Sequence, residues 1–507
     1  MFTFISSLVI LLLGYMFYGR FVERVFAPDR RPTPSMVLRD NVDFIPMKTW
    51  KATMIQLLNI AGTGPIFGAL MGACFGPVVF LWIVLGSILG GAVHDYMSGM
   101  ISERHGGGSI AAISGEYLGP VGLYAMRIFS VLLLLLTGAV FISTPAMLLA
   151  KIVPGSTMNF WLAEILVYYL LATLLPVDKI IGWLYPIFGA LLALMAVLVI
   201  GAMMASPDYT LPELSLANLH PKGTPIWPFM FVTVACGAIS GFHSTQSPIM
   251  AKCMVGERSG RKIFYGAMIM EAVIALIWAA AGTAFYGDAA GLSTALGNGG
   301  PATAVFNISN GLLGKTGAVL AIIGVVICPI TSGDTAFRVV RLIVAEWIGM
   351  DQKKFTSRLL ITVPLMAVGA GLTQVNFNAL WRYFAWSNQT LATVALWVAT
   401  SYLIRHEKFR YSSIVTAFPA TFMSAVVTTY ILMAPEGFQL SAEIAYPAGI
   451  LVALALFLLY ITKAIKNESK GPVPPIIPPE YVRTQAAIRA RQQMIAAARA
   501  TQLGQLQ

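Results

Sequence analysis

Runs of about 20 apolar residues recur along nearly the whole chain, each long enough to cross a hydrocarbon layer of ~30 Å as a helix. This repetition constrains the fold more than any other feature. The chain has 507 residues, of which 57% are hydrophobic and 11% charged. A soluble protein carries roughly a quarter charged residues, and one core could not hide so many apolar stripes. The expected class is therefore an all-α integral membrane protein.

Charge placement then fixes topology. The formal net charge is +11, but the Lys and Arg residues sit in short clusters between apolar runs. That is how cytoplasmic loops look under the positive-inside rule, and it argues against nucleic acid as a partner. The first span, Phe2 to Tyr18, is followed by Arg20, Arg24, Arg30 and Arg31. A cleavable leader has its positive charge before the apolar stretch, so this segment reads as a retained helix with its N-terminus outside.

The further spans are expected at about 49–74, 78–101, 123–152, 160–175, 180–204, 226–254, 264–286, 317–343, 359–372, 380–404, 414–433 and 446–463. A Gly-rich outer loop separates the eighth from the ninth. Threading about thirteen spans from an external N-terminus puts every strong basic cluster on one side, with the C-terminus cytoplasmic. The tail contains GPVPPIIPPE, an extended spacer, and then an Ala, Gln and Arg-rich helix former. Cys74, Cys236, Cys253 and Cys328 show no CxxC pair and no metal-ligand spacing, and read as packing residues.

Two spans are broken. The second carries Ala61-Gly62-Thr63-Gly64-Pro65, and the seventh carries Gly237-Ala238-Ile239-Ser240-Gly241-Phe242-His243-Ser244. Backbone at bilayer depth must satisfy its own hydrogen bonds, so such interruptions survive only where protein or a cavity surrounds them. Single glycines also serve close helix packing. The two breaks, however, lie five helices apart in spans of opposite direction, which predicts an inverted repeat of five helices plus five. Half-helix N-termini suit a carboxylate, and freed carbonyls suit a small cation. Pro65 starts one second half, and Ser244, Thr245 and Pro248 are expected to start the other.

Ionisable groups inside spans are costly and hence candidates for function. They are Asp334 in CPITSGDTAFR, His94 and Asp95 in GAVHDYM, His243 in the break, Glu271, and Glu164 near a helix end. Ala61, Thr331, Ser332 and Asp334 could supply oxygens for Na⁺, or Asp334 could carry H⁺. The competing reading is an Asp334 to Arg338 salt bridge one turn apart. His94 and Asp95 fit either a proton relay or a structural pair. Asn388 and Gln389 in WRYFAWSNQTLA fit interhelical bonding or substrate lining. GLLGKT at 311–316 lacks the first glycine of a phosphate loop, and HGGGS at 105–109 has no accompanying nucleophile elbow, so neither supports an enzyme.

At VDFIPM, AGTGPIFG, GAVHDYM, ACGAISGFHS, TSGDTAFR and SNQTLA the chain resembles the carbon starvation protein A (CstA) family, from about Tyr15 to Lys463 in the same motif order. The resemblance implies an inner-membrane permease with a LeuT-like inverted repeat and uptake of peptides or of pyruvate coupled to protons. It assigns substrate contact to Gly62, Thr63, Gly64, Ser240, Gly241, Phe242 and His243, and cation coupling to Thr331, Ser332 and Asp334. The chain departs from longer members in lacking their extended C-terminal part, and in reading STQSPIM after His243.

The expected organisation is an extra helix and loop over 1–48, a first repeat over 49–204, an external loop over 205–225, a second repeat over 226–405, two closing helices over 406–465 and a tail over 466–507. The expected function is import of a small carboxylate such as pyruvate by H⁺ or Na⁺ symport, serving nutrient scavenging. Peptide uptake is the alternative substrate, and a channel or nutrient sensor the alternative class. No cofactor is expected beyond the coupling ion.

Overall fold

The apolar runs become helices because in lipid only a helix satisfies every backbone group within its own segment. A computed structural model describes residues 1–40, 43–174, 177–352, 354–406, 410–466 and 471. Helix α1 (Phe2–Phe26) is followed by a broken pair, α2a (Thr49–Ile60) and α2b (Gly64–Ala73), bent by 51°. Next come α3 (Val79–Arg104), α4 (Ile110–Ile152), α5 (Met158–Leu174) and α6 (Val177–Ala205). A second broken pair, α7a (Ile226–Thr233) and α7b (Gly241–Ala251), leads into α8 (Glu257–Phe285). The remaining helices are α9 (Ala289–Ile322), α10 (Cys328–Ile348), α11 (Phe355–Leu372), α12 (Phe377–His406), α13 (Ile414–Met433) and α14 (Ala442–Lys466).

Among the described residues, eight helices are long and apolar enough to cross a bilayer unaided, and nine when α2a and α2b count as one span. The expected thirteen is not reached on that test, because segments such as α5 and α7 are short or interrupted. Burial separates centre from rim. The apolar windows of α3 and α8 are 83% buried, against 22% for α1, α11 and α14. Helix α8 packs on α2b and α3 packs on α7b, so both sit against the broken segments, while the other three are largely uncovered by protein.

Two expected loops are helical instead. Helix α4 starts at Ile110 rather than Leu123, because Ser109 Oγ accepts from Ala112 N at 3.1 Å and caps it. The chain turns at Gly119, where φ is 75°. The Gly-rich stretch after α8 forms α9, with turns at Gly300 and Gly314. Its Leu292, Val305 and Ile308 are fully buried, so packing overrides the weak helix propensity of glycine.

The loop over 206–224 is irregular, as expected. It lays His220 against Phe75 at 4.6 Å between ring centroids, and burial, then the Lys222 charge, hold this imidazole below its ordinary range. The Pro-rich spacer and basic tail lie outside the described residues, apart from Gly471.

Candidate functional site

At the second break, α7a ends at Thr233 and Ser240 takes an extended conformation (φ −147°, ψ 123°) before α7b begins. The freed groups find partners on neighbouring helices. Asn388 of α12 accepts from the Phe242 backbone N–H at 2.7 Å and from the Ser240 hydroxyl at 3.1 Å, both on Oδ1. Gln389 donates to the carbonyls of Phe231 and Ala235 at 3.4 and 3.3 Å. Ser87 of α3 donates to the Gly237 carbonyl at 3.1 Å.

A Cβ at Gly241 would collide with the Asn388 carbonyl and lie 2.5 Å from Ala392 N, so only glycine lets the two backbones meet. Ser244 and Thr245 do not start the half-helix. They sit inside its first turns and donate to the carbonyls of Gly241 and Phe242 at 2.7 and 2.6 Å. The actual start, Gly241, is three residues earlier than Ser244, because the glycine permits the close approach there.

At the first break, Ala61 leaves the helical region (φ −87°, ψ 55°) and Gly64-Pro65 opens α2b. A Cβ at Gly64 would strike the Cys236 side chain, which places the two breaks in direct contact. Phe141 of α4 bridges them: its ring would lie 2.7 Å from a Cβ at Gly62 and meets Phe242 edge-on with centroids 6.1 Å apart. The Thr63 hydroxyl and both amide atoms of Gln56 and of Asn59 are buried without a hydrogen-bond partner among the described residues.

Four ionisable residues meet at this junction, all with fully buried side chains. His94 Nδ1 and His243 Nδ1 each lie 2.8 Å from one oxygen of Asp95. His243 Nε2 faces Glu271 Oε2 of α8 at 3.3 Å, an ion-pair distance without hydrogen-bond geometry. Cys236 Sγ completes a group in which the donor atoms of Cys236, His243 and Glu271 all lie within 4.8 Å of one another. The sequence flags Glu271 as an ionisable group in a span but supplies no partner for it, and reads Cys236 as packing. Only the fold joins them.

Asp334, Thr331 and Ser332 lie on α10, beside the first break. Ser332 donates to the Leu58 carbonyl at 3.1 Å, and so ties α10 to the end of α2a. Thr331 donates within its own helix to Cys328 O at 2.8 Å. Asp334 is fully buried and faces Arg338 at 3.7 Å, whose Nη2 also donates to the Ala172 carbonyl at 2.6 Å. The one-turn salt bridge weighed from the sequence is thus present. Glu164 is exposed, in keeping with its place near a helix end.

A second polar assembly, invisible in the sequence, lies at the basic-loop end. Arg104 donates to Glu257 Oε1 at 2.9 Å, to the Tyr402 hydroxyl at 2.9 Å and to the Ala27 carbonyl at 3.0 Å. Arg31 adds a contact to Glu257 at 3.3 Å. The spacing of these residues along the chain carries no signal that they meet. On the same side, a cleft of about 440 Å³ reaches Ser244 and Thr245 of α7b between Ser109, Lys252 and Glu346.

Against known proteins, a profile of the family described as "Carbon starvation protein CstA" matches residues 1–161, 148–310 and 281–430. An uncharacterized membrane protein of Haemophilus influenzae is 42% identical over 353 residues, 59% of this chain and 95% of that protein. The peptide transporter CstA of Campylobacter jejuni is 25% identical over 582 residues, 88% of this chain and 82% of its own. The pyruvate/proton symporter BtsT of Escherichia coli is 26% identical over 342 residues, 54% of this chain and 47% of its own, so the match spans about half of that protein. Among solved structures, the nucleobase-cation-symport-1 family transporter Mhp1 aligns with a TM-score of 0.50 at 14% identity, covering 89% of this chain and 97% of that one. That likeness is one of fold: LeuT-like, as expected.

Proposed function

This chain belongs to the carbon starvation protein CstA family, and from that premise we propose that it is a secondary active transporter importing a small carboxylate such as pyruvate by cation symport. Residues 49–204 and 226–405 serve as its two repeats, in an inner membrane with the N-terminus outside and the basic loops cytoplasmic. The observation that carries this reading is the direct packing of the two broken helices, Gly64 on Cys236, next to buried ionisable groups. Broken helices at bilayer depth are tolerated where they line a site.

The two half-helix N-termini are not equivalent. Asn388 already takes the Phe242 N–H of α7b, so the start of α2b around Gly62, Thr63 and Gly64 is the better seat for a carboxylate. Phe242 and Ser244 close the opposite side.

Coupling is assigned to α10. Asp334 is buried opposite Arg338, and a cation arriving at Asp334 competes with that guanidinium. H⁺ would neutralise the carboxylate. Na⁺ would use its oxygens with those of Thr331, Ser332 and the Ala61 carbonyl. Either event reaches the first break through the Ser332 to Leu58 contact. His94 and Asp95 brace His243 from α3.

The experiment is uptake of labelled pyruvate into proteoliposomes under imposed pH or Na⁺ gradients. Accumulation that ignores both gradients refutes coupled transport. A peptide substrate is favoured by one observation: the unpartnered amides of Gln56 and Asn59 offer donors and acceptors together, which a peptide group matches and pyruvate, an acceptor only, does not. Competition by a dipeptide but not by lactate or acetate would select that reading.

A further inference from the structure

The junction of α7 and α8 leaves several buried polar atoms unanswered. His243 Nδ1 is committed to Asp95 at 2.8 Å, which directs Nε2 toward Glu271. Neither that Nε2 nor either Glu271 carboxylate oxygen has a hydrogen-bond partner among the described residues. Orphaned atoms of this kind leave the loss of their hydration uncompensated, the more so when charged, so a native site normally satisfies them. Cys236 Sγ lies with them, all three donor atoms within 4.8 Å of one another and all three residues buried.

We propose that Cys236, His243 and Glu271 hold a borderline divalent transition-metal ion of the Zn²⁺ class, with Asp95 orienting the histidine. One thiolate, one imidazole and one carboxylate suit Zn²⁺ or Co²⁺, whereas Mg²⁺ and Ca²⁺ take oxygen ligands alone. The charges balance: thiolate and carboxylate together neutralise a divalent ion in a place where an uncompensated charge is costly. Bond lengths of ~2.0–2.3 Å set tetrahedral donors roughly 3.3–3.8 Å apart; the His243 to Glu271 pair already stands at 3.3 Å, so only the wider separations, all within 4.8 Å, close on binding.

The surroundings match a metal shell. A carboxylate on the far nitrogen of a ligating histidine fixes its tautomer, and Asp95 occupies that position, itself held by His94 at 2.8 Å. Asn388 Nδ2 approaches Cys236 Sγ at 3.5 Å and can donate to a thiolate. Three protein donors leave a fourth position open for water or a substrate oxygen. Cys236 lies within the break, His243 in the half-helix that follows it and Glu271 in α8, so the ion ties the break and the start of α7b to one neighbouring helix. The site is independent of which substrate is carried, and its test reads binding rather than uptake.

Chelator-stripped full-length protein is titrated with Co²⁺, which reports thiolate ligation through a near-ultraviolet sulfur-to-cobalt charge-transfer band. The expected result is a band saturating near one equivalent and abolished by Zn²⁺. In Cys236→Ser the band is lost, the other three cysteines notwithstanding. Glu271→Gln weakens the apparent affinity, and Asp95→Asn does so by about 10–100-fold. The band in the unaltered chain keeps the test decisive even if a variant fails to fold. No band in the unaltered protein, or a band that survives in Cys236→Ser, overturns the proposal.

Discussion

Replacing Asn388 by Ala tests whether α12 holds the break in α7 together. In the intact protein Asn388 Oδ1 receives the Phe242 N–H at 2.7 Å and the Ser240 hydroxyl at 3.1 Å. The alanine variant leaves a fully buried backbone N–H without an acceptor, at about 1–3 kcal/mol, and loses a hydroxyl bond of about 0.5–1.5 kcal/mol. The expected loss is therefore about 2–4 kcal/mol. Ser240→Ala removes only the hydroxyl bond, so its loss should stay near 1 kcal/mol. Equilibrium unfolding in mixed detergent micelles, with the denaturing detergent as titrant, compares the two variants and their double mutant. The double mutant should lose little beyond Asn388→Ala, because both changes act on one bond. The reasoning fails if Asn388→Ala costs no more than a neutral surface change, about 0.5 kcal/mol, or equals Ser240→Ala.

Three further outcomes are expected. Arg104→Ala leaves Glu257 buried with Arg31 as its remaining guanidinium, and should cost about 3 kcal/mol in the same unfolding assay, since breaking a buried pair strands the other charge. Gly64→Ala drives a methyl group into Cys236; it should abolish uptake, and Cys236→Gly on that background should restore folded, monodisperse protein, whereas no rescue would mean that the breaks do not pack this way. Asp334→Asn should abolish gradient-driven accumulation while leaving substrate counterflow, and accumulation at the unaltered level would remove Asp334 from the coupling step.

Much of the fold is legible in the sequence because membrane physics leaves few choices. Apolar runs of the right length become helices. Glycine, serine and proline at mid-depth mark the two breaks, which the structure has at Ala61 to Thr63 and at Val234 to Ser240. Glycine misleads in the other direction at α9, where the same residue type reads as loop but packs as helix. A glycine signals that the backbone is free to depart from regular geometry. Whether it does so depends on what lies beside it.

The sequence by itself determined that the chain is helical and membrane-embedded, where its helices break, and which ionisable side chains lie within its spans. Those follow from local composition, since each segment meets the bilayer alone. Tertiary structure alone decided which of these residues face one another. Asp95, Cys236, His243 and Glu271 come from α3, the break in α7, and α8, and converge only when those helices pack. Asp334 finds Arg338 within its own helix, as the four-residue spacing announces. Convergence across helices leaves no such spacing to read, because it depends on the rotation of each helix about its axis, which is set by packing.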